Sequence, residues 1–326
     1  MSSNRHAFPD RRRVLGLVAA AIALPSVARA QTTATETMTG MAFGTGWQVT
    51  GPAGFRIEAL RAPLERLFAG IDRQMSPWRG DSELTRFNRA SAGEHGVSDD
   101  TATVARAALE LARDSGGRFD PSVGPLVARW GFGPIEGGPA RGWTGLSVGQ
   151  GMLAKTDAGL TLDLCGIAKG WALDRAVQLA ADRGFGDFLI DLGGELAAVG
   201  HHPSGRAWRV AVEQPVGDGA AAILALSGRS VATSGSRAQS YALGAREYGH
   251  IIDPLTGEPV VGDLRSVSVV ARNAMVADGW ATALFAAGPQ DGPALARRAG
   301  LDALFVSGNT DVQRVEMTGA MNGYLI

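Results

Sequence analysis

The chain has 326 residues, with 31 lysines and arginines against 32 acidic residues and a net charge of −1. This balance disfavours nucleic-acid binding, and a hydrophobic fraction of 45% is sufficient for one large domain or two interlocked lobes. A single cysteine, Cys165, excludes an internal disulfide, so the stability of the fold must come from its core.

The first 30 residues have the features of a secretory signal peptide. A basic run, Arg11–Arg13, precedes an apolar stretch, Val14–Leu24, and a small-residue cleavage pattern follows at Ala28–Ala30. The apolar stretch covers only about half of the roughly 20 residues that cross a bilayer, and no later segment is long and apolar enough to do so. The arginine pattern fits twin-arginine export, and an ordinary Sec signal with an arginine-rich start is the alternative. We therefore expect a periplasmic protein that loses residues 1–30, which leaves 26 basic and 31 acidic residues.

Beyond the signal peptide, residues 31–40 are predicted to be a disordered leader and residues 41–326 a single domain. Helical spacing and capping signals predict four helices: from Ile57 to Met75 with a regular part starting near Pro63, from Ser98 to Gly116-Gly117, from about Ile167 to Gly184, and from about Asn273 to Ala287. Six strands are predicted, over 188–191, 208–212, 223–226, 230–233, 266–271 and 304–307. Because the strands mostly run in succession, with helices grouped before and after them, the pattern favours an α+β fold over a doubly wound sheet.

Two segments carry charges and oxygen donors suited to a phosphate or a cation. The stretch 163–170, DLCGIAKG, places Asp163 and Lys169 around a small-residue turn before a helix. Asp278 and Thr282 are four residues apart on the fourth helix, so both offer hard oxygen donors on one face. The structural alternatives are a tight turn with a capping acid, and a threonine that bonds to its own helix.

Two further segments suggest a proton acceptor and a surface for a flat ring. His250 precedes the turn DPLTG, in which proline presets φ and glycine supplies the left-handed corner. A lone strand histidine is more often structural than catalytic. Trp78 lies in a loop and Phe119 in a turn beside Asp120, where the two rings could stack on a ligand or anchor their loops.

Taken in order, six strings resemble the ApbE family, the FAD:protein FMN transferases. They are MSPWRGDSELTRFN at 75–88, FDPSVGPL at 119–126, DLCGIAKG at 163–170, ATSG at 232–235, HIIDPLTGEP at 250–259 and ADGWATALF at 277–285. The resemblance extends from about Met41 to the last predicted strand. It implies a single compact, T-fold-like α+β unit with a mixed or antiparallel sheet and flanking helices.

The resemblance also implies roles for individual residues. The residues implied to bind FAD are Met41, Trp78, Arg118, Phe119, Asp120, Asp163, Lys169 and His250. Magnesium is implied to bind to the Gly166 carbonyl and to the side chains of Asp278 and Thr282. His250 and Asp278 are the implied catalytic residues, with His250 taking the proton of the attacking hydroxyl. Cys165 replaces a glycine of the family pattern.

The implied reaction is the Mg²⁺-dependent transfer of FMN from FAD to a Thr or Ser of an acceptor protein, with release of AMP. The implied acceptors are flavoproteins of membrane electron transfer: the flavoprotein that supports nitrous oxide reductase, or subunits of sodium-pumping (Nqr) or Rnf-type complexes. Nothing in residues 31–326 chooses among them. The alternatives are an FAD pyrophosphatase, if water replaces the acceptor, and a non-catalytic flavin carrier, against which the metal ligands and His250 argue.

Overall fold

The structure is a computed structural model that describes residues 34–138, 142–237, 240–243, 246–309 and 312–326. The strands are β1 Thr35–Ala42, β2 Thr45–Pro52, β3 Gly93–Gly96, β4 Leu146–Val148, β5 Met152–Lys155, β6 Phe188–Leu192, β7 Glu195–Val199, β8 Trp208–Glu213, β9 Ala220–Leu226, β10 Arg229–Gly235, β11 Ser240–Leu243, β12 Arg246–Gly249, β13 Ile252–Asp253, β14 Glu258–Pro259, β15 Leu264–Ala271, β16 Asp302–Gly308 and β17 Gln313–Thr318. The α-helices are α1 Arg61–Met75, α2 Glu83–Arg89, α3 Asp99–Asp114, α4 Gly124–Arg129, α5 Ala168–Ala181, α6 Ala274–Ala286 and α7 Gly288–Arg298. None of the helices in these ranges is long and apolar enough to cross a membrane.

An eight-stranded sheet organises the fold, in the order β1-β2-β6-β7-β10-β15-β16-β17. Every pairing along it is antiparallel. The other described strands form the small sheet β3-β5-β4 and the hairpins β8-β9, β11-β12 and β13-β14. This arrangement confirms the predicted α+β class, and its main sheet is antiparallel throughout.

The central strands bury both faces of the sheet. In β16, Phe305 packs into a cluster with the α6 residues Ala281 and Leu284, whereas Leu304 packs into a cluster with Trp208 of the β8-β9 hairpin. Neighbouring residues of a strand point to opposite faces, so this alternation places helices on one side of the sheet and a hairpin on the other. The first turns of α5 and α6 meet on the helical side, where the candidate site lies.

The predicted elements agree with the observed ones to within a few residues. The first predicted helix is a short 3₁₀ turn, Ile57–Leu60, followed by α1, and Ser98 caps α3 by accepting from the Thr101 N–H at 3.3 Å. All six predicted strands are present, as β6, β8, β9, β10, β15 and β16.

The amino-terminal predictions need one correction. The disordered leader predicted over 31–40 is wrong for residues 35–40, which form most of β1 and pair with β2. Met38 of this strand is buried, so packing of one face holds a segment whose polar composition indicated disorder. The predicted signal peptide at 1–30 lies outside the described residues and stays a prediction.

Candidate active site

The turn over residues 163–170 connects two of the predicted binding segments. The backbone N–H of Asp163 donates to the carbonyl of Pro121 at 2.6 Å, which ties the turn to the segment that contains Phe119. Oδ1 of Asp163 accepts from the N–H of Cys165 at 2.9 Å, so the carboxylate closes the turn upon itself. Burial raises the pKa of Asp163, and its bonds to Cys165 oppose that rise.

Two carboxylates join helices α5 and α6, because each accepts hydrogen bonds from the backbone of the other helix. Oδ2 of Asp278, on α6, accepts from the N–H of Gly170 at 2.9 Å. Asp174, on α5, accepts from the N–H groups of Ala274 and Met275 at 2.7 and 3.0 Å. Each helix therefore satisfies free backbone donors at the start of the other, which fixes Asp278 against the turn.

Three oxygen atoms beside this contact suit a small hard cation. Oγ1 of Thr282 lies 3.3 Å from the carbonyl oxygen of Gly166 and 3.3 Å from Oγ of Ser234. Adjacent ligands of octahedral magnesium are about 3 Å apart when each metal–oxygen distance is about 2.1 Å. Asp278 lies one helical turn before Thr282 and adds a buried carboxylate. The donor set fits Mg²⁺ in spacing and chemistry, although the described residues hold no group of three or more His, Cys, Asp or Glu side chains that could bind a metal.

Lys169 stands beside these oxygens and is paired with a buried glutamate. Its Nζ lies 2.6 Å from both carboxylate oxygens of Glu195, the first residue of β7. Burial disfavours the charged form of Lys169, but the Glu195 and Asp278 carboxylates outweigh this effect and raise its pKa. Burial raises the pKa of Glu195 to about 8 and also raises the pKa of Asp278, against the attraction of Lys169. Burial therefore disfavours the charged forms of two carboxyl groups in this cluster. A bound cation would stabilise those charged forms.

Arg118 links the FDPSVG segment to the turn after His250. Its guanidinium lies 3.4 Å from Asp253 and 2.5 Å from the exposed Asp291 of α7. Asp120 accepts from the N–H and the hydroxyl of Ser122 at 2.7 and 2.6 Å. Arg118 and Asp120, which are both predicted to bind FAD, thus have partners within the protein. Their role toward FAD stays a prediction.

His250 lies at the end of a row of aromatic rings. Its imidazole meets the edge of Phe132 with ring centroids 6.3 Å apart. The row continues through the pairs Phe132–Tyr241 at 5.3 Å, Tyr241–Tyr248 at 5.6 Å and Tyr248–Trp130 at 5.4 Å. Trp130 also donates its indole N–H to the carbonyl of Gly257, at the end of the DPLTG turn. Ring packing therefore sets the position of His250 and braces the turn that follows it.

The structure brings some predicted residues together and leaves others apart. Phe119 joins the cluster, because a Cβ on residue 166 would lie 3.2 Å from its ring. Met41 and Trp78 are exposed, at 66% and 65% of their surface, and neither takes part in the described hydrogen bonds of the cluster. The exposed indole of Trp78 is available for stacking. The predicted contacts of Met41 and Trp78 with FAD stay predictions.

Two residues of the cluster were missed from the sequence. Glu195 follows a pair of glycines and offers no local sign of its partner, which lies 26 residues earlier. Ser234 lies in the ATSG string, where its hydroxyl could have been included among the oxygen donors.

Cys165 is exposed, and the surrounding protein together with the Asp163 carboxylate raises the pKa of its thiol. A protonated thiol is a poor nucleophile, so these surroundings do not favour a reactive role for Cys165.

Comparison with known proteins identifies the family to which this fold and site belong. The model of the ApbE family matches residues 43–305. A FAD:protein FMN transferase of Klebsiella pneumoniae is 34% identical over 284 residues, which cover 80% of this chain and 81% of the relative. A FAD:protein FMN transferase of Vibrio cholerae is 35% identical over 255 residues, which cover 73% of this chain and 76% of the relative.

Solved structures agree with these relatives. The flavin transferase ApbE from Vibrio cholerae superimposes with a TM-score of 0.81 at 30% identity, covering 90% of this chain and 99% of that one. The apo form of the Pseudomonas stutzeri flavinyl transferase ApbE gives a TM-score of 0.80 at 32% identity, covering 89% and 96%. The chain therefore belongs to the ApbE family. It is an enzyme of the transferase class, as its curated relatives are.

Proposed function

We propose that this protein is a Mg²⁺-dependent FAD:protein FMN transferase that acts in the periplasm. It joins the FMN half of FAD to a Thr or Ser of an acceptor protein and releases AMP. The observation that carries the proposal is the meeting of the Gly166 carbonyl, the Thr282 hydroxyl and the buried Asp278 beside the Lys169 ammonium. The ammonium complements the negative charge of a pyrophosphate, and the three oxygen donors complement the cation bound to it.

The proposed reaction exchanges the phosphoanhydride bond of FAD for a phosphate ester bond to the acceptor. The acceptor hydroxyl oxygen bonds to the phosphorus of the FMN half, and the bond from that phosphorus to the bridging oxygen breaks, so AMP leaves with the bridging oxygen. Lys169 binds the pyrophosphate as a positive point charge. Asp278, Thr282 and Gly166 would hold the magnesium ion. When bound, the ion supplies charge neutralisation and polarises the phosphorus–oxygen bond.

We assign His250 the role of general base, which accepts the proton of the attacking acceptor hydroxyl. Imidazole is the side-chain group most often used as a general base, which makes His250 the best candidate among the site residues. The contact with Phe132 limits the rotation of the ring. The proton passes from the hydroxyl to the imidazole as the new ester bond forms.

The predicted signal peptide supports the proposed location, and the family supports the proposed acceptor. The predicted twin-arginine signal at residues 1–30 supports export, and an exported enzyme can modify only acceptor domains exposed in the periplasm. The proposed acceptor is a flavoprotein subunit of a membrane electron-transfer system. The candidates are the flavoprotein that supports nitrous oxide reductase, and Nqr-type or Rnf-type subunits.

A labelling experiment tests the proposal. The chain from residue 31 onward is incubated with FAD, Mg²⁺ and each candidate acceptor domain, with the Thr→Ala or Ser→Ala variant of each acceptor as its control. We expect an in-gel fluorescent band and a mass gain of one FMN on the wild-type acceptor only. Release of FMN and AMP without labelling of any acceptor would replace the transferase by an FAD pyrophosphatase. Binding of FAD with no cleavage would replace it by a flavin carrier.

A further inference from the structure

Glu195 occupies a position that is set by a two-residue hairpin turn. It opens β7 directly after Gly193 and Gly194, whose φ angles are +68° and +104°, and it pairs with Leu192 across the hairpin. A two-residue hairpin with both central φ angles positive is the turn that matches the twist of paired strands. The carboxylate is therefore carried on a rigid element rather than on a loop.

Glu195 and Lys169 differ in their access to solvent. The side chain of Glu195 is 5% exposed, whereas that of Lys169 is 34% exposed. A ligand arriving from solvent can therefore reach the Lys169 side chain more readily than the Glu195 carboxylate. We therefore expect Glu195 to influence FAD through Lys169.

The two short contacts determine what Lys169 can still bind. An ammonium has three N–H donors, and the two Glu195 oxygens, each 2.6 Å from Nζ, take at most two of them. The hydrogen bonds of the described residues therefore leave at least one N–H of Lys169 for another acceptor. Asp278 also attracts Lys169, but its Oδ2 already accepts from Gly170. Holding the ammonium at Glu195 leaves the remaining capacity of Asp278 for a cation.

We propose that Glu195 is a positioning residue of the FAD site, which fixes the Lys169 ammonium so that one N–H serves the pyrophosphate while Asp278 stays available to the cation. The inference rests on the proposed function and deepens it. A lysine side chain is long and flexible, so a buried bidentate partner orders it before the substrate arrives.

The charged state of Lys169 depends on the groups that face it from each neighbouring element. These groups are Glu195 on β7, Asp278 on α6, Asp191 on β6 and Cys165 in the turn. Burial lowers the pKa of Lys169, and Glu195 makes the largest opposing contribution. Loss of the Glu195 charge should therefore lower the pKa of Lys169. Burial raises the pKa of Glu195 to about 8, so Glu195 carries its charge above that pH.

The first test measures this pKa in the FAD-free protein. The chain has only two lysines, Lys155 and Lys169, so reductive ¹³C-methylation gives two lysine NMR signals, which Lys169→Arg assigns. We expect the Lys169 signal to titrate at lower pH in Glu195→Gln than in the wild type, while Lys155 is unchanged. Glu316→Gln removes an exposed carboxylate paired with Arg297 and serves as the matched control. Equal titration of Lys169 in all variants would overturn the proposal.

The second test measures FAD binding and turnover at pH 9, where Glu195 is ionised in the wild type. We expect Glu195→Gln to raise the KM for FAD, and the Kd in EDTA, by about 10-fold, with a smaller change in kcat. The difference in KM and Kd between the wild type and Glu195→Gln should become smaller as the pH falls, because Glu195 of the wild type then takes up a proton. Glu195→Asp keeps the charge and should recover part of the affinity.

A double variant separates positioning from a merely structural role. If Glu195 acts through Lys169, then adding Glu195→Gln to Lys169→Met should cause no further loss of FAD affinity. An additive loss would show that Glu195 acts independently, and would overturn the inference. If the wild type neither transfers nor splits FAD, the proposed function fails, whereas the lysine titration still decides whether Glu195 controls Lys169.

Discussion

The backbone N–H of Gly170 lies 2.9 Å from Oδ2 of Asp278, so the first turn of α5 is built against the carboxylate of α6. The approach is close enough to require glycine: a Cβ on residue 170 would lie 2.4 Å from the carbonyl oxygen of Ala274. Glycine at this position therefore allows the helix contact that places Asp278 beside the turn over residues 163–170.

Gly170→Ala should separate the two helices and destabilise the fold by about 1–3 kcal/mol, the usual cost of overpacking. The cation affinity should fall with it, because Asp278 loses its fixed position. Thermal unfolding and Mg²⁺ titration measure the two effects. Gly186→Ala is the matched control, since residue 186 has open space around its Cα and no positive φ. Equal stability of the two variants would contradict the packing argument.

Thr282→Val removes a hydroxyl but keeps the shape of the side chain, and it should raise the Mg²⁺ concentration needed for half-maximal AMP release by about 10-fold or more. Thr282→Ser keeps the oxygen that lies 3.3 Å from the Gly166 carbonyl, so it should remain close to the wild type. A metal requirement that is identical in Val and Ser variants would exclude the Thr282 hydroxyl as a ligand.

His250→Ala should lower the rate of FMN transfer by about 100-fold to 10,000-fold, the range expected for lost general-base catalysis, with FAD binding largely kept. His201→Ala, in an exposed loop, is the control and should have no effect. Single-turnover rates and FAD titrations of both variants make the comparison. Full turnover by His250→Ala would require a different proton acceptor.

The stability of the metal-free protein should depend on pH through Glu195. Its pKa is raised from 4.5 to about 8 by burial, so the folded state binds more protons than the unfolded state between these values. The stability contributed by this group is complete below about pH 4.5 and is lost as the pH rises through about 8. In EDTA, the wild-type Tm should therefore fall between pH 5 and pH 9 by about 3 °C or more beyond any fall in Glu195→Gln. Parallel Tm profiles would show that Glu195 ionises normally.

Local patterns in the sequence were sufficient for α1, α3, α5 and α6, for six of the described strands and for the individual site strings, but not for the other described elements. The spacing of Leu64, Phe68 and Ile71 gave α1, and Ser98 gave the start of α3, because each signal lies within one helix. The pairing of Lys169 with Glu195 could not be read in this way, because it depends on how the β6-β7 hairpin packs against α5. β1 was missed for the same reason, since its order comes from pairing with β2.

The central claim is that FAD is split at the oxygen cluster of Gly166, Asp278 and Thr282 with the help of a bound cation. The most direct measurement compares FMN transfer and AMP release by the wild type and by Asp278→Asn across a Mg²⁺ titration that starts in EDTA. Asparagine can still accept from the Gly170 N–H, so the fold should persist, and Tm verifies this. We expect no activity of the wild type in EDTA, activity that rises with Mg²⁺, and a loss of about 100-fold or more in Asp278→Asn. Full wild-type activity in EDTA, or an unchanged response to Mg²⁺ in Asp278→Asn, would contradict the claim.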